Sequence, residues 1–149
     1  MAHRDIHLEQ ARHNESCAAF LLASAKPFHD WGVTAAFYSA VHLYEGWLYD
    51  QAPDQSKKHT ETSIPRSSAG EQQSTPHAWR ESKIRSIGKE AFKSYRHLKV
   101  ASETARYLSI PGHVPGYAQQ IAPLQISIID AKAYIEQDLP AFKAALKLN

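Results

Sequence analysis

Residues 30–50 read DWGVTAAFYSAVHLYEGWLYD, from Asp30 to Asp50, a stretch that is apolar on nearly every side. Phe37, Val41, Tyr44 and Leu48 fall at helical spacing on one face, and Trp31, Ala35, Tyr38 and His42 on another. A helix wetted along one side does not show this pattern, so the spacing predicts a central helix, with Asp30 as N-cap and Pro53 beyond its end. Tyr38 and His42 stand one turn apart on it, a phenol and an imidazole that need partners once water is removed.

Three more helical segments lie around this one. The first, from about Asp5 to Ala25, is apolar at Leu8, Ala11, Ala18, Phe20, Leu21 and Leu22 and ends before Pro27. The third begins near Thr75 and Pro76 and runs to about Leu108. Its inward stripe is Ile84, Ile87, Ala91, Tyr95, Leu98, Ser102 and Ala105, with Gly88 as a point of bending or close contact. The fourth begins around Tyr117 and repeats apolar residues at Ile121, Leu124, Ile128, Ile135, Leu139, Phe142 and Leu146, with Pro140 expected to kink it or split off a short final helix. No strand-like alternation is read. The fold predicted is all-α, an antiparallel four-helix bundle in a single domain spanning residues 1–149.

Two interruptions stand out. Residues 51–75 are rich in Ser, Thr, Gln, Lys and Pro and form a long polar loop between the second and third helices. Lys57, Lys58, His59 and Arg66 make it either a solvated loop or an arm that grips RNA. The second break, Ser109 to Gly116, carries two proline-containing turns.

Composition limits the possible functions. Seventeen Lys and Arg against fifteen Asp and Glu leave a formal charge of +2, too small to signal nucleic-acid binding by overall field, so any RNA contact is expected to be local. Nine histidines make the surface more basic as pH falls below neutrality. The single cysteine, Cys17, sits in an apolar helical pattern and is read as a small core residue. No secretory leader and no bilayer-length apolar run are read, and the expectation is a cytoplasmic protein that does not engage a membrane.

Several chemistries lack their residues. The chain has no glycine-rich phosphate loop, no Gly-x-Ser-x-Gly elbow, no His-Glu-x-x-His and too few cysteines for a structural zinc site. No Glu has a His three residues later, which removes the di-iron bundle. His3 and His7 stand one turn apart with no nearby carboxylate, a pattern of adventitious metal binding. No cofactor and no native metal are expected.

His13-Asn14 in the first helix, Asp30-Trp31 with Phe37-Tyr38 and His42 in the second, and His77 with Arg80 opening the third recur in order with Tyr95-Arg96-His97-Leu98 and Ser102 to Tyr107. Together, over residues 10–107, they resemble the HEPN superfamily, in its branch of compact stand-alone prokaryotic domains. The resemblance implies a helical domain of a toxin–antitoxin or antiviral defence module that acts on RNA, a homodimer, and a nucleotidyltransferase or other defence-system partner. Ribonucleases of that superfamily use an Arg followed after a short spacer by a His, and here Arg106 and His113 stand with six residues between them. The guanidinium would hold the scissile phosphate and the imidazole would move a proton, in a cleft shared by two chains and without metal. Tyr107 is bulkier than the small polar residue usual after that Arg, and Pro111-Gly112 argues against a common helix for the pair.

The other polar residues have two readings each. Tyr38, His42, His77 and Arg80 line a pocket that binds a nucleotide or RNA, which would make the chain a non-catalytic module for a nucleotide, RNA or partner protein. In the alternative, Tyr38 and His42 bridge to Asp30, His13 or Tyr95 and fix the bundle's register, while His77 and Arg80 cap a helix. Likewise Arg106 either meets phosphate or closes the third helix against Glu103.

Overall fold

A computed structural model describes residues 3–52, 76–107, 109–114, 117–120 and 126–148. Helices α1 (His3–Ala23) and α2 (His29–Gln51) form an antiparallel pair, followed by α3 (Pro76–Ile87) and α4 (Lys89–Tyr107). Strands β1 (Ser109–Val114) and β2 (Tyr117–Gln120) make an antiparallel hairpin with an irregularity between Ile110 and Val114. The last helical run comprises α5 (Ile128–Ala133), a π-helical stretch (Tyr134–Asp138) and α6 (Leu139–Ala145). The described core is built by the helices and their immediate flanks, so the protein is all-α in its core.

α2 is the central helix, touching α1, α4 and the last helical run. Between Gly32 and Leu48 every residue is buried except Ala35, Tyr38, His42 and Trp47. Three of those four belong to the second face read from the sequence, which is therefore the stripe along which α2 reaches solvent. Trp31, at the head of that stripe, is 54% exposed and not a core residue. Phe37 from α2, Tyr95 from α4 and Phe142 from α6 form a buried aromatic chain with centroids 5.6 and 5.5 Å apart.

The α1–α2 seam is set by small residues seven apart. Gly32, Ser39 and Gly46 on α2 lie against Ala18, Ala11 and Arg4 on α1. A Cβ on Gly32 would stand 3.2 Å from the Ala18 carbonyl oxygen, and one on Gly46 2.8 Å from Leu8 Cδ2. Between them the buried Ser39 hydroxyl donates to the Ala11 carbonyl at 2.9 Å. The helices approach closely because no side chain keeps the backbones apart, and α1 needs few large residues on that face.

Several boundaries depart from the sequence reading. The third segment is two helices, split at Gly88, whose φ of 156° is a conformation L side chains rarely adopt. Helix α2 starts at His29 after Phe28, so Asp30 is a first-turn acid and not the N-cap. The fourth helix starts at Ile128 and not near Tyr117, where a strand stands instead. Its start is marked by Ser127, whose hydroxyl oxygen accepts from the Asp130 N–H at 3.0 Å. The period through Ile121 and Leu124 therefore falls outside the described residues, as do Pro53 and the loop positions 53–75, Lys57, Lys58, His59 and Arg66 included.

Pro140 behaves as expected of an interior proline, through a π-helical stretch. It cannot donate to the carbonyl four residues earlier, and the turn before it widens so that Leu139 N–H bonds to the Tyr134 oxygen. On α1 the apolar pattern overstates the core. Ala11 and Ala18 are buried, whereas Phe20 is 75% exposed and Cys17 is exposed, which corrects its reading as a core residue.

Candidate functional site

The exposed stripe of α2 carries two polar clusters with a buried ion pair between them. Toward its start, Tyr38 meets Arg106 from the last turn of α4. Arg106 Nη1 donates to the Tyr38 hydroxyl at 3.2 Å and to the Tyr107 hydroxyl at 3.3 Å, and its Nε to the Ser102 carbonyl at 3.3 Å. The guanidinium lies 5.7 Å from the Tyr38 ring centroid and 4.8 Å from that of Tyr107. Among the described residues no carboxylate pairs with Arg106. Glu103, the partner expected from its spacing, lies 4.0 Å from Lys99, which is held at 2.6 Å by Glu81.

His77, from the first turn of α3, closes this cluster. Its ring stands 5.4 Å from Phe37 and 6.4 Å from Tyr38. Burial lowers its pKa from the usual histidine range, and the positive charges of Arg80, Arg106 and Lys99 lower it further. The ring is therefore neutral at neutral pH. Its Nδ1 is buried and, among the described residues, has no hydrogen-bond partner.

Arg80, one turn along α3, turns inward and its Nε pairs with Glu45 of α2. It is not displayed at the surface as a phosphate ligand. Tyr44 and Tyr95 share this interior, and burial raises both phenols well above their ordinary range, so they remain protonated. The Tyr95 and Ser102 hydroxyls, two helical turns apart on the inward face of α4, are buried without a partner among the described residues.

His42 turns the other way, toward α1. Its Nδ1 lies 2.9 Å from His7 Nδ1, and His7 Nε2 lies 3.1 Å from His3 Nε2. Burial lowers the His42 pKa, Glu45 partly offsets this, and Arg80 adds to it. The four residues read as one pocket are thus divided: Tyr38 and His77 gather with Arg106, His42 joins His3 and His7, and Arg80 is taken up by Glu45. Neither Asp30, His13 nor Tyr95 bonds to Tyr38 or His42.

His113 lies on β1, and its side chain falls outside the described residues, so the convergence of Arg106 with His113 does too. Among the described residues no group of three or more His, Cys, Asp or Glu side chains is arranged to hold a metal ion. No helix among them is long and apolar enough to cross a membrane.

Sequence reasoning missed the contacts that organise the site. Tyr38 and Arg106 are 68 residues apart, and nothing local links them. Glu45 had a usable signal, since a carboxylate inside a helix buried on nearly all sides requires a cation, and Arg80 was already singled out. Comparison with protein-family models, with curated proteins and with solved structures returned no match.

Proposed function

We propose that this chain is a HEPN-like domain, of the four-helix-bundle kind, that acts on RNA, with Arg106 as the group that holds phosphate. The carrying observation is the state of Arg106: a partly exposed guanidinium, oriented by two phenols and a backbone carbonyl, with no carboxylate pairing among the described residues. Its fixed fork suits phosphate oxygens, and a local site of this kind agrees with the low net charge. Tyr107 is 63% exposed beside it, and Trp31 lies two turns before Tyr38 on the same stripe. Exposed rings interleaved with a cation suit unstacked bases of single-stranded RNA.

In the catalytic form of this reading the ribose 2′-hydroxyl attacks the neighbouring phosphorus and the 5′-oxygen leaves. One imidazole accepts the hydroxyl proton, a second imidazole in its protonated form gives its proton to the leaving oxygen, and Arg106 offsets the charge developing on the phosphate. His113 is the imidazole the resemblance implies. His77, neutral and beside Tyr38, is another within the described cluster. Two copies of the chain would supply the pair of Arg and His sets in one cleft, and a nucleotidyltransferase or other defence-system protein is the partner class.

A non-catalytic reading, in which the same surface binds RNA, a nucleotide or a partner protein without turnover, is favoured by the large ring of Tyr107 next to Arg106. Incubation with structured and single-stranded RNA in the presence of a chelator separates the two. Cyclic phosphate ends that disappear in Arg106→Ala and His113→Ala support cleavage. Binding that depends on Arg106 without cleavage supports the second reading. Binding and cleavage both unchanged in Arg106→Ala overturn the role of this residue in either.

A further inference from the structure

The contact of His42 with α1 is a chain of three imidazoles: His42 Nδ1 to His7 Nδ1 at 2.9 Å, and His7 Nε2 to His3 Nε2 at 3.1 Å. His7 turns a different nitrogen to each neighbour, so the rings form a line and not a cage around a cation. At these separations each contact needs one N–H and one bare nitrogen.

Counting protons along the line gives a sharp rule. With all three rings neutral, His7 has one N–H and one lone pair, donates on one side and accepts on the other, and both contacts are made. With one added proton on His7, it donates to both neighbours and both contacts survive. A second added proton places an N–H against an N–H in one of the contacts, with two positive rings side by side, and that contact must open.

We propose that His3, His7 and His42 form a proton-operated clasp between the start of α1 and the last turns of α2, closed with none or one added proton and opened by the second. The surroundings reinforce the limit. From α3, Arg80 faces His42 and opposes further positive charge, while Glu45 on α2 favours it but is already bound to Arg80. The Tyr49 ring stands 5.4 Å from His3, and Arg4 on α1 is occupied by Asp50 at 2.6 Å with Asp5 at 3.4 Å. Burial of His42 disfavours the charged form of that ring. Opening releases α1 back to the Leu8 contact with Gly46, below which the small-residue seam holds the helices together. This device stands whether or not the chain acts on RNA.

The test is amide hydrogen exchange of the first three turns of α1, corrected for intrinsic rates, beside an NMR titration of histidine ring nitrogens in the whole chain. Protection in residues 7–12 should fall about tenfold between about pH 7 and about pH 5, with that of α4 steady. The three rings should take up protons in separated steps. In His7→Leu the pH-dependent fall should vanish, since no chain remains. Constant protection in the unaltered protein, independent titration of the three rings, or an equal fall in His7→Leu would each overturn the clasp.

Discussion

Arg80 and Glu45 form an ion pair inside the protein, their side chains 11% and 3% exposed, joining α3 to the middle of the central helix. Taking two charges out of water is costly, and their attraction offsets that cost only while both are present. Arg80→Met should therefore destabilise the fold by about 3–5 kcal/mol, because it leaves Glu45 charged in the interior. Pairing it with Glu45→Leu should recover most of the loss. Chemical denaturation of the single and double variants measures both, and a double variant no more stable than Arg80→Met would refute the account.

Arg106 sits at the end of α4 among hydroxyl and carbonyl acceptors, so its removal should touch stability little, by about 0.5 kcal/mol. Its effect on RNA affinity should be far larger, about tenfold or more for Arg106→Ala, with poor rescue by Arg106→Lys because an ammonium lacks the fork. Tyr38→Phe, which removes one hydroxyl that orients the guanidinium, should fall between. Filter binding at fixed ionic strength gives the ranking.

Stability should depend on pH through His42 and His77. Burial lowers both in the folded state relative to the unfolded chain, so the unfolded chain binds protons first as the solution is acidified. Their contribution is full above the ordinary histidine value of about 6.5 and declines as pH falls below it toward their folded values. Thermal melts across this range should show a falling midpoint, and His77→Phe should flatten the slope. A midpoint that rises on acidification from neutral pH contradicts the assignment.

The α1–α2 seam gives a steric test. Gly46→Val brings branched methyl groups into Leu8 and should cost about 2 kcal/mol, whereas Ser39→Ala, which forfeits the hydrogen bond to Ala11, should cost about 1 kcal/mol. At Gly88 nothing crowds a Cβ, yet Gly88→Ala should destabilise by about 1 kcal/mol or more through its φ alone. Denaturant midpoints compared across the three distinguish packing from backbone effects.

Much of the helical framework was legible because apolar spacing reports burial directly. The α2 stretch, the inward stripe of Ile84, Ala91, Tyr95, Leu98 and Ser102, and the disturbance at Pro140 were all readable in that way. The reading failed where a residue's neighbours, and not its own type, set its exposure. Phe20 and Trp31 fit helical periods, but they lie at helix positions that no other described element covers, and Cys17 follows Phe20 into solvent. The hairpin after Tyr107 was missed because its strands lack the two-residue alternation that betrays a half-buried sheet.

Local residue chemistry thus settled that this chain folds around a central helix bearing a phenol and an imidazole one turn apart, whereas the tertiary structure decided that their face is the one along which the helix reaches solvent. Local chemistry could not say who answers them. Tyr38 is met by Arg106, His42 by His7, and Glu45 by Arg80, across separations of 68, 35 and 35 residues. Those partnerships arise from the angles and registers at which whole helices dock, and docking is fixed by close packing summed over many side chains, so no short stretch of the chain contains it.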